Sequence, residues 1–327
     1  MKAFEKKIFE ITSKSEFENL ALEIFNYQSQ HCFVYEQYLK LIEVAPKKVS
    51  AIEQIPFLPV QFYKTREIIA DSKTPEIVFT SSSTTGMTPS KHFVASLKLY
   101  EMSFLESFKT FYGNPSEYAI LSLLPSYLER EGSSLVYMAN KLMVLSGNPH
   151  NGFYLYNHSE LFKTLSILKK EGIRTILLGV SFALLDFIKE YQPEFPELIV
   201  IETGGMKGRG KELSREEIHS ILKKGFGVPQ IHSEYGMAEL LSQAYSTGDG
   251  LFKSPPWMNI YIRDLQNPFK FLPHNKKGGV NIIDLANIYS CSFIETEDSG
   301  IKETGDSFRI TGRVSNSEIR GCNLLLG

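Results

Sequence analysis

The chain has 327 residues, of which 43% are hydrophobic and 22% charged, and its formal net charge is -2. This length can bury one large core or two smaller ones. Because neither charge sign dominates, the composition argues against nucleic acid or an anionic membrane as the main partner. The most apolar run, residues 175–185, is shorter than the roughly 20 residues that cross a bilayer, so no membrane span is predicted.

The N-terminus and the cysteines predict a cytoplasmic protein. Charged residues interrupt the opening sequence MKAFEKKIFEI, which is unlike the apolar part of a signal peptide. Cys32, Cys291 and Cys322 form no CxxC pair, so we expect free thiols in a reducing compartment. Cys32 and Cys291 have the surroundings of core residues.

The N-terminal part is predicted to be helical, because apolar residues recur there at helical spacing. They are Phe17, Leu20, Ala21, Ile24 and Phe25, followed by Val34, Tyr35, Tyr38 and Leu41. The next segment, IPFLPVQFYK at residues 55–64, contains two prolines and is predicted to be extended.

From residue 76 onward, strand-like and helix-like patterns alternate. Strands are predicted at 76–80, 118–124, 175–178 and 198–202, and helices at 97–111, 133–145, 159–171 and 182–190. In the third helix Leu161, Leu165 and Leu168 form one apolar stripe. This alternation predicts βαβ units, and therefore an α/β fold with a mostly parallel sheet flanked by helices.

After about residue 250 short strand-like pieces at 257–262, 279–284 and 308–311 are separated by Pro, Gly and Asn. We therefore predict two parts. Residues 1–250 form a helical entry and an α/β body, and residues 251–327 form a smaller β-rich subdomain ending in a tail with Cys322.

The segment FTSSSTTGMTPSKH at residues 79–92 has the features of a phosphate-binding loop. It follows a predicted strand and contains six consecutive hydroxyl residues, then Gly86 and Lys91. Short hydroxyl donors, a flexible glycine and a nearby cation can surround a polyphosphate. Neither the G-x-x-x-x-G-K-[ST] motif nor G-x-G-x-x-G is present. The alternative is a flexible Ser/Thr linker.

Three later segments follow this loop in order. ETGGMKGRG begins at Glu202 and follows a strand, IHSEYGMAELLSQAY begins at Ile231, and SFIETEDSG precedes GDSFRITGRVSNSEIRGC near the end. Taken separately, the paired glycines could form an ordinary strand-to-helix turn, and the tyrosine could be a core residue at a helix start.

The four segments, in this order, resemble the motifs of the adenylate-forming enzymes, which include acyl-CoA synthetases and luciferases. The resemblance implies that the hydroxyl loop and Lys91 bind the triphosphate of ATP. Glu239 would bind Mg²⁺, Asp298 or Asp306 the ribose, and Arg313 would lie at a hinge. The implied nucleotide contacts are Ser81, Ser82, Ser83, Thr84, Thr85, Gly86, Gly204, Gly205, Met206, Tyr235, Gly236 and Asp298.

This sequence departs from the family pattern at several positions. Thr88 and Ser90 lengthen the spacing of the proline and lysine in the loop. Ser83 stands where the loop usually has glycine, and Ala238 replaces the threonine that contacts the α-phosphate. Family members typically continue for about a hundred residues past the hinge arginine as a mobile domain that carries a lysine. Here Val314 to Gly327 follow Arg313, so we expect that large domain to be absent.

The segment IPFLPVQFYK and the ending EIRGCNLLLG resemble one branch, the acyl-protein synthetases of the bacterial bioluminescence fatty-acid reductase complex, which are related to phenylacetate-CoA ligases. The resemblance implies activation of a fatty acid as acyl-AMP and transfer of the acyl group to Cys322. Arg320 would favour the thiolate that such a transfer needs.

Several alternatives remain on sequence grounds. The acyl acceptor could be CoA, with an aromatic or fatty acid as substrate, or an acyl reductase or acyl-transfer protein could be the partner. Cys322 could instead pack with Leu324 and Leu325. Ser133 and Ser134 could line an acyl site or cap a helix. The chain could also bind a nucleotide or acyl group without turnover. No hydrolase or metalloprotease motif is present, and isolated His92, His232 and His274 favour packing roles.

Overall fold

The computed structural model describes residues 2–81, 88–124, 132–204 and 213–314. These residues group into two compact units. Unit 1 comprises the described residues of Met1–Ser103, Ala238–Ser242 and Lys253–Gly327, and unit 2 those of Phe104–Met237 and Gln243–Phe252. Both units are therefore built from separate stretches of the chain.

Unit 1 combines N-terminal helices with antiparallel strands from the C-terminal part. Its elements are α1 (Lys2–Phe9), α2 (Lys14–His31), α3 (Phe33–Leu41), β1 (Leu58–Pro59), α4 (Phe62–Thr65), β2 (Ile77–Thr80), β3 (Lys91–Val94), the start of α5 (Leu97–Tyr112), β11 (Met258–Arg263), β12 (Lys277–Asp284), β13 (Phe293–Lys302) and β14 (Ser307–Arg313).

The strands of unit 1 form a sheet and a separate hairpin. Strands β11, β12, β13 and β14 pair in that order, all antiparallel, and β1 adds to β13 in parallel. Strands β2 and β3 pair antiparallel with each other. Aromatic rings of Phe25, Tyr35 and Phe57 all contact Phe293, which ties α2, α3 and the segment before β1 to the sheet.

A buried polar contact also joins α2 to the connection between β12 and β13. The side chain of Gln28 is fully buried, and its Nε2 donates to the carbonyl oxygens of Asn287 (3.0 Å) and Ile288 (2.9 Å). Its Oε1 accepts from the backbone N–H of Ser292 at 2.9 Å. One side chain thus satisfies several backbone groups that have no strand partner.

The single tryptophan lies in another buried polar group of unit 1. Nε1 of Trp257 donates to Oγ of Ser242 at 3.0 Å and to Oγ of Ser103 at 3.2 Å. Ser242 in turn donates to Oδ1 of Asp284 at 2.6 Å. Because each of these groups is buried, the hydrogen bonds offset the loss of water.

Unit 2 is the alternating α/β part. Its elements are the rest of α5, β4 (Ala119–Leu123), α6 (Ser134–Ser146), β5 (Gly152–Phe153), α7 (His158–Glu171), β6 (Thr175–Val180), α8 (Ser181–Glu190), β7 (Ile199–Thr203), α9 (Arg215–Phe226), β8 (His232–Tyr235) and β9 (Ala244–Ser246), with β10 (Phe252–Lys253) at its junction with unit 1.

Strands β5, β4, β6, β7 and β8 pair in parallel in that order, and β9 pairs antiparallel with β8. Local sequence explains the helix ends. Ser133 caps α6, with its side chain accepting from Val136 N, and Gly147 ends that helix at φ +65°. The core is aliphatic, and the predicted stripe of Leu161, Leu165 and Leu168 is fully buried in it.

Most sequence predictions of local structure are confirmed. The four helices predicted between residues 97 and 190 are present, each to within one residue at either end. Cys32 and Cys291 are buried, as predicted. Of the two roles considered for Ser133, lining an acyl site or capping a helix, the structure shows the helix cap. No helix in the described ranges is long and apolar enough to span a membrane.

Two predictions of local structure are wrong. The strand predicted at 76–80 is present as β2, but it pairs antiparallel with β3 and does not join the parallel sheet. The segment 55–64 is extended only in its first half, and α4 begins at Phe62. A proline restricts itself and the residue before it, so Pro59 leaves the following residues free to form a helical turn.

Substituting Gln28 tests the buried contact between α2 and the segment after β12. We expect Gln28→Ala to lower the free energy of unfolding by about 2–4 kcal/mol, because it leaves buried backbone groups without partners. Gln30 lies on the same helix but is exposed and bonds only Asn26 O, so Gln30→Ala should cost about 0.5 kcal/mol or less. Chemical denaturation measures both, and equal losses in the two variants would contradict the stabilising role assigned to Gln28.

Candidate functional site

The two ends of the hydroxyl-rich segment meet in unit 1. Backbone N–H of Ser81 donates to Ser90 O at 3.1 Å, and Ser90 N–H donates to Ser81 Oγ at 2.9 Å. The predicted contacts Ser82, Ser83, Thr84, Thr85 and Gly86 lie outside the described residues. The segment between Ser81 and Ser90 is therefore closed at its base by two hydrogen bonds.

Strand β3 begins with an exposed lysine, Lys91, followed by a buried histidine, His92. Lys91 pairs with Thr80 in the hairpin register, and its side chain is exposed. The next residue, His92, is buried, and its Nδ1 lies 2.8 Å from Ala238 O. Burial lowers the pKa of His92 to about 4, so the ring is neutral near pH 7 and donates from Nδ1 to this carbonyl.

Glu239 lies in a short stretch whose backbone is fixed on several sides. Its side chain is 4% exposed, and its carbonyl oxygen accepts from Asn287 Nδ2 at 2.8 Å. The backbone N–H groups of Leu241 and Ser242 donate to Asp284 Oδ2 at 2.8 and 3.0 Å. No helix forms here, so the interpretation of this motif as a helix start is wrong for the described residues.

The electrostatics of Glu239 combine an unfavourable burial with favourable contacts. Burial raises the pKa of Glu239, while a hydrogen bond from the Ser90 side chain lowers it. The charge of Asp298 raises this pKa further and the charge of Arg313 lowers it. The Glu239 carboxylate therefore lies within electrostatic range of both strand residues and in contact with the end of the hydroxyl-rich segment.

Asp298 and Arg313 face each other on β13 and β14. They are register partners, and Arg313 Nε lies 3.9 Å from Asp298 Oδ1. Arg313 Nη1 also donates to Glu297 Oε2 at 3.4 Å. Asp306, the alternative ribose residue, is exposed in the connection between these strands. Of the two aspartates, Asp298 is thus the one that acts on the Glu239 carboxylate.

Tyr235 and Gly236 belong to unit 2. Tyr235 ends β8, is 8% exposed and lies edge-on to the ring of Phe252, with 6.0 Å between centroids. A Cβ at Gly236 would come closer than van der Waals contact to Glu234 Oε1. A larger residue at 236 would therefore displace a buried carboxyl group, which explains a glycine after the tyrosine.

Gly204 also belongs to unit 2 and directly follows β7. It has φ +71°, a left-handed conformation that favours glycine. Its carbonyl oxygen accepts from Ser181 Oγ at 3.2 Å. The other two predicted contacts in that motif, Gly205 and Met206, lie outside the described residues, as does the predicted nucleophile Cys322.

A buried carboxylate in unit 2, Glu202, was missed in the sequence. It is 3% exposed and accepts from Ser181 Oγ at 2.8 Å and Ser233 Oγ at 2.9 Å. His219 Nε2 and Arg215 Nε lie 3.4 and 3.5 Å from Oε1. Burial raises its pKa, but these contacts outweigh burial and the net shift is downward. The available signal was an acidic residue at the carboxyl end of an apolar strand.

Glu234 is a second missed carboxylate. It is buried on β8, directly before Tyr235, and accepts a hydrogen bond from Thr203 Oγ1. Burial raises the pKa of Glu234 to about 7, and the charge of nearby Glu202 adds to that increase. Glu202 thus stays ionised near neutral pH while Glu234 is poised between its two forms.

In the described parts of the chain, no three His, Cys, Asp or Glu side chains converge as a metal site. The Glu239 carboxylate is a hard oxygen donor of the type that Mg²⁺ takes. Mg²⁺ is commonly bound by one or two carboxylates together with substrate phosphates. A cation beside Glu239 would also favour the ionised form that burial disfavours.

Glu234→Gln tests the raised pKa of the Glu234 carboxyl group. With a pKa of about 7 in the folded chain and 4.5 as the ordinary value, the folded state holds a proton that the unfolded state releases. Wild-type stability should therefore fall as pH rises from about 4.5 to about 7. Relative to wild type, Glu234→Gln should gain roughly 2–3 kcal/mol between pH 5 and pH 8. Denaturation at several pH values measures this gain, and parallel profiles would contradict it.

Comparisons with known proteins find similarity in structure and none in sequence. No family model matches the chain, and no curated protein matches it. A solved structure of 2-hydroxyisobutyryl-CoA ligase in complex with 2-HIB-AMP and CoA has a TM-score of 0.68 at 12% identity. That match covers 94% of this chain and 77% of the ligase.

Two further structures match over less of their own length. ATP-bound MatB from Rhodopseudomonas palustris has a TM-score of 0.55 at 14% identity, with 74% of this chain and 49% of MatB covered. The luciferase-like enzyme of the nonluminescent mealworm Zophobas morio has a TM-score of 0.50 at 15% identity, with 75% and 59% covered. The chain therefore has the α/β fold of the adenylate-forming enzymes, as the sequence predicts.

Proposed function

We propose that this protein uses ATP to convert a carboxylic acid, most simply a fatty acid, to an acyl-AMP and then transfers the acyl group to its own Cys322. One observation carries the first step. Within unit 1, Ser90 bonds the Glu239 carboxylate, the charges of Asp298 and Arg313 act on it, and Arg313 Nε lies 3.9 Å from Asp298 Oδ1. The sequence motifs assign the ion to Glu239, the ribose to Asp298 and the adenylate charge to Arg313.

The proposed first step is a displacement at phosphorus. A carboxylate oxygen of the acid bonds to the α-phosphorus of ATP, and the bond to the bridging oxygen breaks to release pyrophosphate. The chain supplies positioning and charge rather than a covalent intermediate. Lys91 and the hydroxyl groups around Ser81 stabilise the triphosphate, Asp298 binds the ribose hydroxyls, and Arg313 offsets the charge of the adenylate. The sequence motifs assign the adenine contacts to Tyr235, Gly236, Gly204, Gly205 and Met206.

Glu239 would hold the Mg²⁺ that neutralises phosphate charge when bound. The residues around it prepare it for that role. His92 and Asn287 hold the carbonyl oxygens of Ala238 and Glu239, and Asp284 holds the next turn of backbone. The carboxylate is thus presented by a rigid segment, which lowers the entropy lost when a substrate binds.

The similar structures support nucleotide use by this fold. One of them was solved with an acyl-adenylate and CoA, and another with ATP. The same comparison favours a second candidate, in which CoA rather than Cys322 accepts the acyl group. In either case a thiolate sulfur bonds to the acyl carbon and AMP leaves. For self-acylation, Arg320 and Gly321 precede the thiol in the sequence, supplying a cation and conformational freedom.

Pyrophosphate exchange into ATP tests acid activation. With a panel of fatty and aromatic acids, we expect exchange from wild-type protein with at least one acid. Glu239→Gln should lower the rate by about 100-fold, in keeping with the few kcal/mol that a metal contact contributes to phosphoryl chemistry.

The matched control is Glu295→Gln. Glu295 is also a partly buried carboxylate of unit 1, but its charge partner is Arg263, so its exchange rate should stay close to that of wild type. Folded wild-type protein that binds nucleotide without exchange would support the non-catalytic alternative and contradict the proposal. Full activity of Glu239→Gln would remove the assigned role of Glu239.

Intact-mass measurement after incubation with ATP and the active acid tests the acceptor. We expect one added acyl group on wild-type protein and none on Cys322→Ser, since serine lacks the readily ionised thiol. Cys32→Ser and Cys291→Ser serve as controls and should each keep the adduct. Because both thiols are buried, the folding of these two variants must be checked first. Turnover of Cys322→Ser that depends on added CoA would identify the ligase alternative.

A further inference from the structure

The segment 55–64, IPFLPVQFYK, has contacts that the proposed function leaves unused. Leu58 and Pro59 pair in parallel with Ile294 and Glu295 of β13. Val60 N–H then donates to Glu295 O at 2.9 Å. This pairing fixes the start of α4 beside the part of β13 that continues to Glu297 and Asp298.

Lys64 on α4 shares a carboxylate with Arg313. Lys64 Nζ lies 3.4 Å from Glu297 Oε1, and Arg313 Nη1 lies 3.4 Å from Glu297 Oε2. Gln61 Nε2 also donates to Glu297 Oε1 at 3.1 Å. One carboxylate therefore positions two cations, one from α4 and one from the end of β14.

The neighbouring residue on α4, Tyr63, packs against His92 of β3. The Tyr63 ring lies 5.7 Å from the ring of His92, and its hydroxyl is 3.3 Å from Ser290 Oγ. Burial raises the pKa of Tyr63, and the charge of Glu239 adds to the increase. A single turn of helix thus places Tyr63 near Glu239 and Lys64 near Arg313.

Stability alone gives little reason for this arrangement. The Lys64 side chain is only 24% exposed, so the pairing costs part of its hydration and its rotamer freedom. Ion pairs at partly exposed positions return little of that cost. Glu297 already has Arg313 as a partner, so Lys64 is not required to neutralise it.

A further cation would reduce the electrostatic repulsion between the two substrates of acid activation. The carboxylate of the acid must approach the α-phosphate of ATP, and both are anions. Lys91 and Arg313 are assigned to the phosphates. A compact ammonium group on a flexible stem suits a single carboxylate oxygen, and Lys64 is held beside the strand that carries Asp298 and next to Arg313.

We infer that Lys64 is a further substrate-binding residue, which contacts the carboxylate of the acid and brings it to the α-phosphate. Glu297 and Gln61 are its positioning residues. This inference rests on the proposed function.

The experiment measures exchange rates as a function of acid and of ATP concentration, using the panel acid that gives the fastest wild-type exchange. Lys64→Met should raise the KM for the acid and lower kcat, because a charged contact is lost. Together these changes should lower kcat/KM for the acid by about tenfold or more. The KM for ATP should change less than about threefold, since Lys64 is assigned to the acid. Lys64→Arg should recover part of the loss.

Lys40→Met is the matched control, because Lys40 is also a paired helical lysine of unit 1 but bonds Glu36 on α3. It should behave as wild type. Lys64→Gln serves as a second neutral variant if Lys64→Met folds poorly, which thermal unfolding reveals.

Wild-type kinetics in both neutral variants would overturn the inference while leaving the proposed function intact. So would a loss confined to the KM for ATP, because Lys64 would then serve the nucleotide. Absence of exchange in the wild-type protein would instead remove the proposed function, and this inference with it.

Discussion

The Glu239 carboxylate is buried away from water, and several contacts in unit 1 stabilise it and its backbone. Burial disfavours the charged form, yet the stretch around it has no regular structure to fix it. The chain compensates with side chains. Ser90 bonds the carboxylate, Asn287 bonds its backbone carbonyl, and Gln28 in turn holds the segment that carries Asn287. Glu239 is thereby fixed from the residue that precedes β3, from α2 and from the loop after β12.

Unit 2 shows how neighbours determine the state of two carboxyl groups in similar burial. Glu202 has two hydroxyl donors, an imidazole and a guanidinium around it, and its pKa shifts down. Glu234 has the hydroxyl of Thr203 and the negative charge of Glu202, and its pKa shifts up. Ionisation here follows from the number and charge of the contacts and not from depth alone.

Periodicity predicted the helices of unit 2 closely because each one buries a single apolar face, and the pattern along the chain records that face directly. The pairing of β2 with β3 was missed because a short apolar run is the same in a hairpin and in a parallel sheet. Glu202 and Glu234 were missed for a related reason. A glutamate at a strand end gives no sign of burial, which depends on Ser181, His219 and Thr203 from distant parts of the sequence. Motif order, by contrast, led us to assign Glu239, Asp298 and Arg313 to one nucleotide site, and the charges of Asp298 and Arg313 act on the Glu239 carboxylate.

The hydrogen bonds of Trp257 have a practical consequence. It is the sole tryptophan, and Ser242 and Asp284 connect its indole to the backbone three residues beyond Glu239. Indole emission responds to the polarity and hydrogen bonding of its surroundings. The protein therefore carries an intrinsic fluorophore whose hydrogen bonds reach the backbone near Glu239, and the proposed nucleotide binding can be tested optically without attaching a dye.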